Sequence, residues 1–231
     1  MNLIKNEYIK LGFKKQIISF LVLTLIIILN YYINEKNLTM DNVLTIIPFI
    51  GIIISILFSG TISHEIQSGT FRFYLTKSIS RNKVFISKLL TMILFTIEML
   101  IYCLIIHIIL KVKLENVNNF LINSSSLLLI LTIIMLLSTI IKNQSITSGI
   151  SIILLTFSNT ITELLLSKNI KIIKYTFIPY IDLNLFTNDT IDIINKQYDV
   201  NLTIKFGLIM LFIYSLLFII IGLKIFNKKD I

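Results

Sequence analysis

Charged residues are scarce in this sequence, and so are the residues that usually build catalytic sites. Only 14% of its 231 residues are Asp, Glu, Lys or Arg, against about 25% in an average soluble domain. A single cysteine, Cys103, excludes a disulfide within the chain and a thiolate metal cluster. These absences argue against a soluble enzyme, and we expect neither catalytic residues nor a cofactor bound by this chain.

Glycine and histidine are also rare, and the motifs of two further classes of enzyme, P-loop ATPases and zinc proteases, are missing or incomplete. None of the seven glycines begins the Gly-x4-Gly-Lys-Ser/Thr loop that holds nucleotide phosphates, so the chain is not a P-loop ATPase by itself. His64-Glu65 begins a zinc-protease-like pattern, but Ser68 stands where its second histidine would be. The other histidine, His107, falls near the opposite end of the predicted membrane domain, and a zinc site needs three converging ligands. We therefore expect no metal site.

Long apolar runs dominate the chain instead. Hydrophobic residues make up 55% of the sequence, and the mean hydropathy is +0.89. About 20 apolar residues cross a bilayer as a helix, and six runs have roughly this length. The predicted spans are residues 16–33, 43–61, 87–110, 124–141, 145–166 and 204–226. We predict an all-α membrane protein with one transmembrane domain over residues 1–231.

Two segments outside the spans also have helical patterns. Residues 1–15 are basic and amphipathic, which predicts a helix lying along the membrane surface. A plain basic tail that only sets the topology explains this segment equally well. Residues 167–204 mix isoleucines with charges and contain Pro179. They predict one or two short helices at the far interface or re-entering the membrane.

The distribution of basic residues predicts how the chain is oriented in the cell membrane. With the N-terminus inside, 13 of the 21 basic residues lie on the inner side. The short loop 34–42 holds one of them, whereas the loop 61–88 holds five. Because basic residues in short loops stay cytoplasmic, we expect both termini to be cytoplasmic. The net charge of +9 then needs no nucleic-acid partner.

The loop 61–88 is the longest polar interruption in the first half of the chain. Gly69 can end a helix in the left-handed conformation, and Thr70 can cap a new short helix. Within that helix Phe71, Tyr74 and Leu75 share one face, because they are spaced i, i+3 and i+4. The loop therefore predicts a short amphipathic helix between spans 2 and 3.

Local helix stability does not explain why an arginine stands at position 81. Ser78 or Ser80 can cap the third span, which places Arg81 in the first turn of that helix. The helix dipole disfavours a cation at this position. Membrane topology or an acidic partner would explain Arg81 better.

The order of residues in this loop resembles the cytoplasmic signature of ABC-2 type transporter permeases. Ser78 departs from that signature, because the family usually has Pro there. The matching residues are Glu65, Gly69-Thr70, Leu75, Ser80-Arg81 and Ser87-Lys88. The specific motif covers little more than this loop, although the six-span layout is similar over the whole chain.

The resemblance implies that the short helix couples the chain to a separate ATPase. Two permease subunits, identical or different, would form the pathway, with ATP and Mg²⁺ bound by two ATPase subunits. The residues assigned to ATPase coupling are Glu65, Gly69, Thr70, Phe71, Arg72, Tyr74, Leu75, Arg81 and Lys83. An ordinary basic loop between two spans is the alternative interpretation.

Three polar residues within the spans are candidates for a translocation path. Glu98 is the one acid deep in an apolar span, where such residues usually find a partner or serve function. Asn159 and Glu163 belong to a polar stripe on span 5, together with Thr156 and Thr160. For both features, hydrogen bonding to neighbouring helices is an equally simple explanation.

The sequence as a whole therefore resembles the membrane subunit of an ATP-driven exporter. At its length, the chain resembles the small permeases of this family that export bacitracin-like antibiotics, lantibiotics and amphipathic peptide toxins. We expect the cargo to be an amphipathic peptide or antimicrobial compound, although a lipid-linked glycan or an ion would also fit. An ATP-independent secondary transporter or a membrane scaffold is the alternative from a different class.

Overall fold

The computed structural model describes residues 2–34, 39–69, 79–112, 117–186 and 188–229. Within these ranges six helices are long and apolar enough to cross a membrane, which confirms the all-α, six-span prediction. The coupling residues Thr70, Phe71, Arg72, Tyr74 and Leu75 lie outside the described residues, as does Ser78. The six spans are Phe13–Ile33, Asn42–Gln67, Arg81–Ile109, Val117–Ile140, Gln144–Ser167 and Ile204–Lys228.

Several helices extend beyond the apolar runs that predict them. Span 3 begins at Arg81 rather than near residue 87, and span 4 begins at Val117 rather than near residue 124. Polar residues such as Asn82 and Lys83 in span 3, and Asn118 and Asn119 in span 4, interrupt the apolar pattern in the added turns, so hydropathy alone does not find them. Ser80 occupies the position before span 3, as expected, but its side chain makes no capping hydrogen bond.

Span 2 consists of three helical pieces rather than one. A first piece, Met40–Leu44, precedes the main piece Ile47–Phe58, and a short helix Ser63–Gln67 follows. Pro48 lies in the first turn of the main piece, where its missing N–H breaks no hydrogen bond. Gly69 follows the last piece with φ +68, the left-handed conformation predicted for it.

Spans 2 and 4 form the centre of the bundle. In each of them, 61% of an apolar stretch of 18 residues is buried within the chain, compared with 17% of the corresponding stretch in span 1 and 22% in span 6. The outward faces of spans 1 and 6 are almost entirely aliphatic and aromatic, as suits contact with lipid. The core therefore forms around spans 2 and 4, and the other spans pack against them.

The N-terminal helix, Asn2–Lys10, doubles back from span 1 and packs against span 3. The turn between the helices is at Gly12, whose φ of +74 favours glycine. Thr91 on span 3 donates a hydrogen bond to the carbonyl of Ile4 at 3.5 Å. The helix is thus held against the bundle by specific contacts.

The N-terminal helix and the end of span 6 both contact the beginning of span 3, on a face of the bundle that we call the terminal face. It carries the N-terminal helix, the ends of the loop 68–80, the turn 141–143 and the end of span 6. The opposite face carries the segment 168–203, which contains three 3₁₀ turns and a helix. Their bounds are Lys171–Tyr175, Ile178–Tyr180, Leu183–Phe186 and Asn188–Tyr198.

The segment on the opposite face is closed by two polar contacts. Lys171 forms an ion pair with Asp199, with 2.8 Å between Nζ and Oδ2. Asn195 accepts a hydrogen bond from the Leu202 N–H and donates one to the Leu202 carbonyl. Between these contacts the buried ring of Tyr180 packs against Phe186. The segment therefore has its own small core.

Spans 2 and 5 approach each other closely at Gly51. A Cβ atom at Gly51 would lie 2.2 Å from Leu155 Cδ1, so no larger residue fits without displacing Leu155. By contrast, nothing lies within 4 Å of a Cβ atom at Gly149, which is also on span 5. The two glycines therefore offer a matched pair for testing this contact.

We predict that Gly51→Leu destabilises the bundle by about 1–3 kcal/mol, because overpacking forces the two helices apart. Gly149→Leu is the control, and it should leave stability unchanged or slightly higher since Leu favours helix more than Gly does. The measurement is chemical denaturation of both purified variants in detergent. Equal stability of the two variants would contradict the close approach.

Candidate functional site: a buried ring of charge on the terminal face

Four charged side chains from three different segments form a closed ring. Lys88 Nζ lies 2.7 Å from Glu7 Oε2 and 2.9 Å from Glu65 Oε2. Lys10 Nζ lies 3.0 Å from Glu7 Oε1 and 2.8 Å from Glu65 Oε1. Each lysine thus contacts both carboxylates, and each carboxylate contacts both lysines. We call this set the charge ring.

Most of the charge ring is withdrawn from solvent. The side chain of Lys88 is 1% exposed, that of Glu7 6% and that of Glu65 12%. Only Lys10, whose side chain is 48% exposed, reaches the surface. Burying an ion costs several kcal/mol unless opposite charges and hydrogen bonds compensate. Because the two acids and two bases neutralise one another, the ring is tolerated as a set.

The local structure of each segment places its residue in the ring. Glu7 and Lys10 are spaced i, i+3 and lie on one side of the N-terminal helix. Glu65 lies in the short helix Ser63–Gln67, after the turn that ends the main piece of span 2. Lys88 faces the interior from the beginning of span 3. The ring therefore ties the N-terminal helix to spans 2 and 3, which precede and follow residues 70–78.

A second polar cluster ties span 3 to the end of span 6. Arg81 Nη1 donates hydrogen bonds to the carbonyl oxygens of Asn227 at 2.9 Å and Lys229 at 2.8 Å. The carbonyl end of a helix is the negative end of its dipole and favours a cation. Arg81 is therefore explained by the C-terminus of span 6, a long-range contact that the sequence did not indicate.

The same cluster reaches span 4. Asn227 Nδ2 donates to Asn82 Oδ1 at 2.7 Å, and Lys229 Nζ donates to the Thr139 carbonyl at 2.6 Å. Burial lowers the pKa of Lys229, and the nearby charge of Lys142 lowers it further. Spans 3, 4 and 6 are thus joined at the terminal face.

Span 5 is fastened to span 2 on this face as well. Gln67 Nε2 donates to the carbonyl of Lys142 at 2.8 Å. Gln144 packs so closely on Gly60 that a Cβ atom at Gly60 would lie 2.7 Å from Gln144 Oε1. The turn between spans 4 and 5 therefore rests on the last part of span 2.

A pocket of about 240 Å³ opens beside the charge ring. Its lining includes all four residues of the ring, together with the basic residues Lys15 and His64. Leu11, Leu57 and Phe58 form an apolar part of its wall. The pocket therefore combines charged and apolar surfaces on the terminal face.

The coupling residues predicted from the sequence are only partly brought together. Glu65 is in the charge ring, whereas Arg81 belongs to the second cluster and Lys83 is exposed on span 3. Gly69 lies at the end of the helix that carries Glu65. The predicted face of Phe71, Tyr74 and Leu75 lies outside the described residues.

Glu98 is exposed on the outer surface of span 3, and its carboxylate has a partner that the sequence did not suggest. The hydroxyl of Tyr8, on the N-terminal helix, donates a hydrogen bond to Glu98 Oε2. Burial, followed by this hydrogen bond and the nearby carboxylate, raises the pKa of Tyr8 to about 12. The N-terminal helix is therefore tied to span 3 at this level too.

The polar stripe on span 5 lies mostly on the outer surface of the chain. Glu163, Thr156 and Thr160 are exposed, and the hydroxyl of Thr156 donates to carbonyls of its own helix. Asn159 is half-buried and donates through Nδ2 to Asp182 Oδ2 at 2.8 Å. Burial raises the pKa of Asp182, although this bond and those from Asn184 oppose the rise. Hydrogen bonding to the segment 168–203 thus accounts for Asn159.

Sequence reasoning missed the role of Glu7, Lys10 and Lys88. One signal was available, since Glu7 is the only acid in residues 1–15 and Glu65 is the only acid in residues 61–88. A single acid in each of two basic segments is a pattern that pairing would explain.

Among the described residues, no group of three or more His, Cys, Asp or Glu side chains is arranged to hold a metal ion.

We predict that Lys88→Met destabilises the protein by about 3–5 kcal/mol, because it leaves two buried carboxylates with Lys10 alone. Lys83→Met is the matched control, since Lys83 is exposed on the same helix and should contribute little. Denaturation in detergent measures both. Similar stabilities for the two variants would show that the ring is not formed.

For the second cluster, Arg81→Gln should increase hydrogen exchange in the last turn of span 6, because two carbonyls lose their charged donor. Exchange in the N-terminal helix should stay unchanged, because Arg81 is not part of the charge ring. Peptide-resolved hydrogen exchange by mass spectrometry would report both regions. Unaltered exchange over residues 224–229 would refute the Arg81 contact.

Two comparisons relate this chain to known sequences. A protein of Bacillus subtilis (strain 168), called "Uncharacterized protein YhcI", is 27% identical over an alignment of 242 residues. That alignment covers 89% of this chain and 75% of the relative. The family model described as "Protein of unknown function (DUF2705)" matches residues 27–231, a range that includes Glu65 and Lys88. The chain therefore belongs to the DUF2705 family.

Proposed function

We propose that this protein is the membrane permease subunit of an ATP-driven exporter of the ABC-2 type. The terminal face would then be cytoplasmic, and the loop 68–80 would receive force from a separate ATPase subunit. The observation that carries this proposal is the charge ring. It holds the two spans that flank the loop, at Glu65 and Lys88, against the N-terminal helix.

Polar contacts hold the residues on both sides of the loop 68–80 against other spans. On its N-terminal side Glu65 is in the ring and Gln67 holds the turn at Lys142. On its C-terminal side Arg81 holds the end of span 6, and Lys88 returns to the ring. A displacement of residues 70–78 would therefore reach several spans together, rather than being absorbed at one hinge.

The charge ring supports transmission of force because it does not yield easily. Moving one member away leaves another buried charge without a partner, which costs several kcal/mol. A rigid-body movement of the three segments avoids this cost. In the proposed mechanism, closure of the ATPase dimer tilts spans 2 and 3 with the N-terminal helix, and this changes access to the pathway.

Docking to the ATPase would use the loop residues that the resemblance assigns. Phe71, Tyr74 and Leu75 would enter a groove of the ATPase, while Arg72 and Lys83 would face acidic groups around it. Lys83 is exposed, which suits this role. Arg81 is engaged with span 6, so we assign it to the transmission of movement rather than to the docking contact.

The pathway would lie at a seam with a second permease subunit, identical or different. Glu98 and Glu163 are exposed on the surface of the single chain, and charged residues within membrane spans usually face protein or a water-filled path. Asn159 lies between Glu163 and the middle of span 5. The proposed cargo is an amphipathic peptide or antimicrobial compound, which would pass between aliphatic surfaces and these polar groups.

The test is purification of the tagged chain from native membranes, followed by identification of bound proteins. We expect a P-loop ATPase to co-purify, and Tyr74→Asp combined with Leu75→Asp to reduce its recovery at least tenfold. Ile172→Asp is the control, because Ile172 is 70% exposed on the opposite face.

Retention of the ATPase by the Tyr74→Asp, Leu75→Asp variant would reject docking through this loop. Transport by the purified chain with no nucleotide and no companion would reject the ATP-driven function. That second result would favour the secondary transporter instead.

A further inference from the structure

We propose that the pocket beside the charge ring binds the phosphate headgroup of an anionic phospholipid, with Lys15 as the residue that selects the charge. The proposal concerns a ligand that stays with the protein, and it does not rest on the transport function. The supporting observations are the position of the pocket, its charge and its surroundings.

The composition of the lining places the pocket at the level of lipid headgroups. Leu57 and Phe58 end the main apolar piece of span 2, whereas Glu65 and Lys88 lie just beyond it on the terminal face. Basic pockets between membrane helices on the cytoplasmic side bind lipid headgroups in other proteins. Its volume of about 240 Å³ accommodates a phosphate with its glycerol, but not acyl chains.

The charge in the pocket has an uncompensated positive part. Within the ring, Lys10 and Lys88 are matched by Glu7 and Glu65, so the ring contributes no net charge. Lys15 adds a further cation to the lining. Its ammonium group has no ion-pair partner among the residues that the structure describes. An anionic group is therefore the ligand that neutralises the pocket.

The end of span 1 adds to this positive potential. Leu11 and Lys15, which both line the pocket, flank the first residue of span 1. The helix begins after Gly12 without a side-chain cap and has no acid in its first turn. The dipole at such an end favours a phosphate. It supplements the lysine and does not form the site alone.

The surface beside the pocket suits acyl chains. Phe13 is 76% exposed and Ile17 is 41% exposed, and both lie within one turn of Lys15 on span 1. Ile9 on the N-terminal helix is 63% exposed. A lipid with its phosphate in the pocket would therefore have apolar side chains next to its acyl chains.

The test uses the purified full-length chain and follows its thermal unfolding in detergent as lipid is added. Short-chain phosphatidylglycerol should raise the unfolding midpoint in a saturable way, whereas phosphatidylcholine with the same chains should not. Lys15→Gln should weaken the apparent affinity for phosphatidylglycerol roughly tenfold or more, as loss of a charged hydrogen bond predicts. Lys15→Arg should retain the affinity.

Lys14→Gln is the matched control, since Lys14 is exposed next to Lys15 but does not line the pocket. We expect its affinity to stay within about twofold of the unmodified chain. The midpoints measured without lipid show whether each variant folds, and native mass spectrometry counts the bound lipids.

Three results would overturn the proposal. Equal losses in Lys14→Gln and Lys15→Gln would indicate a diffuse basic surface rather than a site. Equal protection by phosphatidylcholine, whose phosphate is balanced by its choline cation, would show that the net negative charge of the headgroup is not recognised. Equal protection by glycerol 3-phosphate would place the ligand in solution rather than in the membrane.

Discussion

Mutual neutralisation of four charges, three of them buried, is the constraint on which the terminal face depends. Lys88 and Glu7 are almost fully withdrawn from solvent, and neither would be tolerated there alone. Their presence requires Glu65 from span 2, and Lys10 completes the ring. The N-terminal helix is consequently part of the bundle rather than a tail attached to it.

Different interactions stabilise the terminal face and the opposite face of the bundle. On the terminal face, ion pairs and charged hydrogen bonds join segments far apart in sequence, such as Arg81 with Asn227 and Lys229. On the opposite face, a short segment folds on itself around Tyr180 and is closed by Lys171 and Asp199. Between the faces, apolar side chains of spans 2 and 4 provide the packing. Contacts between distant segments therefore hold the terminal face, which is the face where the proposed function places an ATPase subunit.

The charge ring also shapes the pocket in which we propose that a lipid headgroup binds. The ring gives the N-terminal helix a fixed position beside span 3, and this position brings Leu11 and Lys15 to the pocket. A lipid headgroup at Lys15 would lie against the same helix that carries Glu7. Occupancy of the pocket and the geometry of the ring are therefore expected to depend on each other.

Much of the architecture could be predicted, because its signals are local. Six apolar runs gave six spans, since the cost of exposing a backbone to lipid leaves helices as the only solution for such runs. The left-handed conformation of Gly69 followed from glycine's freedom at positive φ. The helices of spans 3 and 4 begin before the predicted apolar runs, because polar residues such as Asn82 and Asn118 interrupt the hydropathy pattern there without ending the helix.

The sequence by itself determined that the chain is helical and apolar enough to cross a membrane six times, because hydropathy and helix length depend only on neighbouring residues. Only the tertiary structure decided the partners of Glu7, Arg81 and Glu98, which are 81, 146 and 90 residues distant. A charged side chain can be paired with any opposite charge or hydrogen-bonding group that folding brings near. Which pairs form therefore depends on how the helices pack, and no local pattern records it.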